Sequence, residues 1–295
     1  MDLAKRLDRR LNKEIDKYIG KKVYKSVMQK EVGYGLHKNP QRIVVSMASY
    51  AKRYSTIIPT LKSLLLQTYK PDRIIVWLDE ETPKNTITEE MESLKKYGVE
   101  YRFTNDDLKP HKKYFYAMQE FKDAIIITVD DDIVYSEDMV ASLIKIHKQY
   151  PKCICARRVH KINFDKDSHI LPYKDWDYEY RKEHRPSYLL CATGGAGALY
   201  PAGILPEEAF EINKIKELCW RADDIWLKFM ELKADVQTIW VPTRYVMPYE
   251  VNASQVNALN TTNTNGGGND EYIKNILKEY PETQEILLKA FNLKK

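Results

Sequence analysis

The stretch IIITVDDDIVYSEDMV, residues 125–140, decides how the rest of the chain is read. An unbroken apolar and β-branched run, Ile125 to Val129, meets three carboxylates: Asp130, Asp131 and Asp132. Such a run fits a strand covered on both faces. Like charges this close repel, and burial raises the cost of each. A cation or a cationic partner is the usual way to offset it. In an extended segment, Asp130 and Asp132 point to one side and Asp131 to the other. An i, i+2 carboxylate pair at a strand end can face one divalent ion, and hard oxygens suit Mg²⁺ or Mn²⁺. Such an ion keeps positions for water and substrate phosphates, so the expectation is an ion bridging carboxylate and diphosphate. The simpler reading is an acidic turn capping the next helix. An EF-hand loop is excluded, because its glycine and terminal glutamate are missing.

Working outward, the same strand–helix rhythm repeats. RIVVSMASY is a strand ending in small and hydroxyl residues, Ser49 and Tyr50 among them. TIIPTLKSLLLQ has helical spacing, with Pro59 tolerable only near the helix start. RIIVWLD is a second strand, ending at Asp79. TEEMESLKKYG reads as a helix closed by Gly98, VEYRF as a short strand and KKYFYAMQEF as another helix. The alternation predicts an α/β fold with a mostly parallel central sheet and right-handed crossovers. Ligands of such sheets sit beyond the carboxyl ends of the strands. SMASY, Asp79 and Asp130–Asp132 all fall there, which is the main argument for a site.

Beyond residue 135, SEDMVASLIKIHKQYP reads as a helix with Ser136 as N-cap. CICARRV is a short strand, and residues 161–188 are polar, aromatic and irregular. ATGGAGALYPAG is glycine-rich, yet matches neither a P-loop nor G-x-G-x-x-G. A tightly approached or flexible wall is the better expectation. LCWRADDIWLKFMEL is a helix with Asp223 and Asp224 near its start, and ADVQTIWVP is a strand. NALNTTNTNGGGND, residues 257–270, is low in complexity and reads as mobile. No internal repeat is present.

Composition narrows the classes. At 295 residues with 43% hydrophobic residues, a sizeable core is affordable. Tyrosine is abundant, 21 against 7 Phe. It suits sugar or nucleotide surfaces, although most of these residues are expected to be ordinary half-buried ones. Trp176, Tyr178 and Trp220 are candidates for stacking on sugar rings, with core packing the commoner fate. Net charge is +5, and the excess gathers in residues 1–30, with ten Lys or Arg against four Asp or Glu. Leu3, Leu7, Leu11, Ile15 and Ile19 recur four apart there, an amphipathic helix signal. A solvated helix face is the simpler reading; attraction to an anionic membrane surface is the functional one. No nucleic-acid motif accompanies the charge. The four cysteines lack zinc spacing and read as free core thiols. No signal peptide and no run of 18 apolar residues is present, so a cytoplasmic location is expected, with contact at the inner face of the membrane. Asn252 and Asn260 fit glycosylation acceptors, which carry no weight in that compartment.

VVSMASYAKR, LKSLLLQTYKPDRIIVWLD, KKYFYAMQEF and IIITVDDDIVY together resemble the nucleotide-sugar half of GT-A glycosyltransferases, especially the family 2-like bacterial enzymes. The resemblance covers roughly residues 42–140 and extends more weakly to about 250. It implies a basic helical extension over 1–40 and a GT-A domain over 41–250, followed by a linker and C-terminal helix over 251–295. Within the domain, 41–140 would be the nucleotide-sugar half and 141–250 the acceptor half. The implied donor is a nucleotide sugar, UDP-linked by family habit, and the implied acceptor a glycan or lipid-linked glycan of a bacterial surface polysaccharide. Asp130 and Asp132 match the D-x-D motif that holds Mn²⁺ or Mg²⁺ and, with Asp131, the donor diphosphate. Asp79 matches the acidic residue that recognises the nucleobase. Ser49 and Tyr50 lie in the loop that lines the nucleoside pocket, where Ala48 and Ala51 replace the family's Pro and Asn. Lys112 or Lys113 would reach phosphate, or be solvated. In RADDIW, Asp224 maps to the catalytic base and Asp223 to its acidic neighbour. The pairing makes chemical sense: an inverting transfer needs one carboxylate to deprotonate the acceptor hydroxyl opposite the leaving group. The competing role for Asp223 and Asp224 is interaction with the helix N-terminus alone.

Two other classes remain open from the sequence. DDDIV also fits the D-x-D-x-[TV] pattern of haloacid dehalogenase-type phosphohydrolases, with Asp130 as nucleophile. That fold normally opens with this strand, whereas three strand–helix units precede it here. The third reading is a GT-A-like domain that binds nucleotide sugars without turnover.

Overall fold

The computed structural model describes residues 3–80, 86–106, 108–243, 249–250 and 268–293, with side chains described except at 3–9, 13 and 249–250. Asn252, Asn260 and most of the 257–270 stretch lie outside the described residues. Only the last three residues of that stretch are described, and they open a helix.

Seven strands form the central sheet: β1 (Ile43–Ala48), β2 (Arg73–Leu78), β3 (Val99–Phe103), β4 (Ile125–Val129), β6 (Ile154–Ala156), β9 (Ala198–Tyr200) and β10 (Thr238–Trp240). Their order is β10-β6-β9-β4-β1-β2-β3. All neighbours are parallel except at β9, which runs antiparallel to β4 and β6. The mostly parallel, helix-flanked sheet expected from the sequence is therefore present. Its antiparallel member was not legible: ALY is three residues long and sits inside the glycine-rich stretch.

Burial explains the continuous apolar run. Alternate residues of β4 enter different layers. Ile125, Ile127 and Val129 pack with Ile43, Val45 and Met47, while Ile126 packs with Val44, Ile75 and Trp77 on the other face. Helix α2 (Ile58–Leu65) carries Pro59 in its first turn, where no intrahelical donor is lost. Helix α3 (Glu89–Leu94) is capped by the Thr88 hydroxyl, which accepts from the Met91 amide. Gly98 ends the following turn at φ 107°, a left-handed conformation costly for any other residue.

Helix α4 (Lys112–Glu120) crosses between β3 and β4. It is held to β1 by Ser46, whose hydroxyl donates to the Lys113 carbonyl and accepts from Trp77 Nε1. A short strand pair, β5 (Ile133–Val134) with β11 (Tyr249–Glu250), follows the carboxylate run. Helix α5 (Met139–Gln149) starts later than the sequence implied. Ser136 does not cap it; its hydroxyl instead donates to the Asp138 carboxylate and accepts from Arg157.

A second pair, β7 (Val159–Lys161) and β8 (Leu190–Ala192), leads toward helices α6 (Ile212–Leu218) and α7 (Asp223–Lys233). The chain closes with two helices, α8 (Gly268–Glu279) and α9 (Glu282–Asn292), rather than one. Ile273, Ile276 and Leu287 enter the same core cluster as Trp226 and Ile215. Trp176 is buried there too, so the packing reading holds for that indole. All four cysteines are free. No helix of the described residues is long and apolar enough to cross a membrane. Helix α1 (Leu3–Gln29) packs along α2, β5 and β11.

Candidate active site

Three parallel strands deliver the expected groups to one edge of the sheet. Ser49 and Tyr50 follow β1, Asp79 follows β2, and Asp130 follows β4. The carboxylate run then departs from simple alternation, because β4 ends at Val129 and the chain turns. Asp130 faces Lys113, with Oδ1 2.8 Å from Nζ. Asp131 and Asp132 instead share one cation. Arg53 Nη1 is 2.5 Å from Asp131 and 2.9 Å from Asp132. Asp131 is buried and also accepts from Ser49 Oγ at 2.6 Å, so it anchors the loop after β1. Burial works against the charge of Asp131 and raises its pKa, partly offset by Arg53 and Ser49. Asp130 is held below the usual carboxylate range: burial opposes this, but Lys113, Arg158 and Arg53 outweigh it.

Lys113 joins this edge to the helix-start acidic pair. Its Nζ is 2.9 Å from Asp223 Oδ2 as well as 2.8 Å from Asp130. The lysine is 4% exposed, so its ammonium is held by carboxylates rather than by water. Burial would lower its pKa, but Asp130, Asp223 and Asp224 raise it well above normal. Its neighbour Lys112 turns the other way and pairs with Asp79.

Asp224 lies at the first turn of α7 and accepts a hydrogen bond from the Gly194 amide at 2.8 Å. Burial and the nearby Asp223 push it up to about 7, against the pull of Lys113 and the Gly194 amide. Asp224 is thereby more readily protonated than an ordinary aspartate. The glycine-rich segment forms the wall beside it. A Cβ at Gly195 would lie 2.2 Å from Asp130 Oδ2, so only glycine permits this approach. Tyr135 ties the wall to the carboxylate turn. Its hydroxyl accepts from the Asp130 amide at 2.8 Å and donates to the Gly195 carbonyl at 2.6 Å.

Several groups were not singled out from the sequence. Arg53 follows the Ser49–Tyr50 loop, in the quoted stretch ASYAKR, and its alignment with two carboxylates needs the fold. Arg158 donates to Thr193 Oγ1 at 2.6 Å and would meet a Cβ at Gly195. His111 is fully buried at the start of α4. Its Nε2 is 2.8 Å from the Cys219 carbonyl and its Nδ1 3.2 Å from the Tyr114 hydroxyl. The imidazole thus links α4 to the turn before α7. Trp220 stands apart, under Lys109 and Arg221.

The donor set suits a hard divalent ion. Asp130 and Asp132 offer carboxylate oxygens on one turn, and ions at phosphate sites need only one or two such ligands. Among the described residues no three His, Cys, Asp or Glu side chains are grouped to hold a metal alone. Counted formally, Asp130, Asp131, Asp132, Asp223 and Asp224 face Lys113, Arg53 and Arg158, leaving two negative charges over. One divalent ion would balance that charge.

Comparison with known proteins identifies the family of the chain. The profile of Glycosyl transferase family 2 matches residues 44–205, more than half of the chain. The protein belongs to glycosyl transferase family 2. Among solved structures it is similar to Staphylococcus aureus TarS. The TarS 1–349 complex with UDP has 13% identity and a TM-score of 0.44, covering 69% of this chain and 59% of that one. TarS 1–349 alone gives 15% and 0.43 with the same coverage, and a longer TarS structure gives 14% and 0.42, covering 69% and 36%. The chain thus spans only part of the length of these proteins. Comparison with curated proteins gave no match. The family assignment removes the phosphohydrolase reading.

Proposed function

We propose that this protein is a metal-dependent, inverting glycosyltransferase. It moves a sugar from a nucleoside diphosphate donor, UDP-linked by preference, to a glycan or lipid-linked glycan acceptor in bacterial surface polysaccharide synthesis. The reaction takes place in the cytoplasm. The carrying observation is the single ammonium of Lys113, shared by the strand-end Asp130 and the helix-start Asp223 beside Asp224. One cation therefore sets the spacing between a donor side and an acceptor side.

In this reading Asp79 contacts the nucleobase, Ser49 and Tyr50 shape the nucleoside loop, and Asp130 to Asp132 face the diphosphate. Asp130 and Asp132 would hold Mn²⁺ or Mg²⁺. When bound, the ion would supply stabilisation of charge on the departing diphosphate. Asp224 takes the proton of the acceptor hydroxyl. That oxygen bonds to the anomeric carbon from the face opposite the leaving group, the bond from that carbon to the diphosphate oxygen breaks, and the electron pair leaves with the nucleoside diphosphate. Asp223 pairs with Lys113 and keeps the proton affinity of Asp224 high. The neutral upper range of Asp224 supports this division of labour.

Transfer and donor-hydrolysis assays over a panel of sugar nucleotides, with Mn²⁺ or with chelator, test the proposal. Metal-dependent release of one nucleoside diphosphate is expected. Tight donor binding without turnover would favour a non-catalytic binding domain instead.

A further inference from the structure

The sequence places Leu11 and Ile15 in an apolar row, and such a row normally turns toward the core. Here it does the opposite. Leu11 is 62% exposed, Ile15 42% and Tyr18 61%. Successive spacings of four and three put all three on one face of α1. The inward face carries Asp16, Gly20 and Val27. Asp16 is buried, and its carboxylate is 2.5 Å from Arg181 Nη2 in the irregular segment before β8. The rotation of the helix is thus pinned by an ion pair, and the apolar row must face away from the domain.

The same face continues into Lys22 and Lys25, both exposed, with Arg10, Lys17 and Lys21 exposed on its flank. Lys22 Nζ lies 4.5 Å from the centre of the Tyr18 ring. An apolar stripe bordered by cations, with a tyrosine at its edge, is the pattern that settles into a lipid headgroup layer. An acidic surface with a shallow apolar interior matches both halves of the face.

We propose that α1 is an interfacial helix that docks this protein on an anionic lipid surface through Leu11, Ile15 and Tyr18, with Lys22 and Lys25 reaching the headgroups. Because Asp16 holds α1 to Arg181, the docked helix fixes the orientation of the segment leading to β8 and the glycine wall. The inference does not depend on the donor, the metal or the base.

Full-length protein is mixed with phosphatidylcholine vesicles and with vesicles containing phosphatidylglycerol, and bound protein is read by flotation. Binding is expected only with phosphatidylglycerol, weakening with salt. Reversing two charges in Lys22→Glu/Lys25→Glu should weaken it about tenfold or more. The triple variant Leu11→Gln/Ile15→Gln/Tyr18→Ser should weaken it comparably, with wild-type circular dichroism and melting temperature in both variants. Absence of wild-type binding, or equal binding by folded variants, overturns the proposal. So does a wild-type dimer, seen by light scattering, that the triple variant abolishes while wild-type vesicle binding is absent. Transfer assays in free solution read the catalytic proposal separately.

Discussion

Lys113 Nζ lies 2.9 Å from Asp223 Oδ2, although one residue stands in the first turn of α4 and the other opens α7. With Asp130 on its other side, the lysine is a buried joint between two carboxylates. Removing one partner of such a cluster strands the others without a counter-charge. Lys113→Met should therefore cost about 3–5 kcal/mol in chemical denaturation, the usual loss when a buried ion pair is broken from one side. Transfer should also be lost. A change below about 1 kcal/mol would mean that solvent reaches these carboxylates freely.

A different buried group sets a pH dependence of stability. Burial lowers the His111 pKa to about 4, opposed by Asp223 and the Cys219 carbonyl and aided by Lys113. The imidazole is neutral in the folded protein, while in the unfolded chain it titrates near its ordinary 6.5. Between these values the unfolded state binds more protons, so stability rises with pH across this window. It is complete above about 6.5 and falls as pH drops toward 4, by about 3 kcal/mol in total. Denaturation midpoints of wild type and His111→Gln between pH 4 and 7 check this. The variant should be less stable at pH 7 and show a shallower acid slope; parallel slopes would contradict a buried neutral imidazole.

Gly195→Ala tests the wall. The added methyl would sit 2.2 Å from Asp130 Oδ2, so the carboxylate would have to leave its position against Lys113. Donor affinity should fall by about tenfold or more, equivalent to about 1.4 kcal/mol. Titration calorimetry with nucleoside diphosphate reads it. Wild-type affinity would show that Asp130 does not face the donor.

Asp132→Asn should abolish the metal-dependent part of donor binding while leaving the fold intact, because Asn keeps the size of Asp but not its charge. Calorimetry with and without Mn²⁺ is the measurement. Wild-type metal dependence in this variant would move the ion elsewhere.

The strand-end carboxylates, the helix-start pair and the mostly parallel sheet were legible because each is a local signal: an apolar run, a helical spacing, a charge where an element ends. What escaped reading depends on contacts distant in sequence. Arg53 meets Asp131 and Asp132 across 78 and 79 residues. His111 meets Cys219 across 108. Strand β9 is too short to show a period, and its glycine neighbours signal a turn as readily as a close approach. The direction of the α1 face was not legible for a related reason. Periodicity identifies an apolar row but not the direction it faces, which the Asp16–Arg181 pair decides.

The central claim is that Asp224 acts on the acceptor and not on the donor. Its carboxyl, raised to about 7 by burial and by Asp223, must be ionised to accept a proton. Single-turnover transfer at saturating donor and Mn²⁺ should therefore rise with pH through about 7 in the wild type. In Asp224→Asn it should be lower by about 10²- to 10⁴-fold, the usual contribution of a positioned general base. That measurement, made at donor saturation so that affinity cannot mask chemistry, tests the account most directly. The predicted result is a loss of transfer that added donor does not restore, with the neutral pH limb gone. Transfer by Asp224→Asn at the wild-type rate, or recovery on raising the donor concentration, would contradict it.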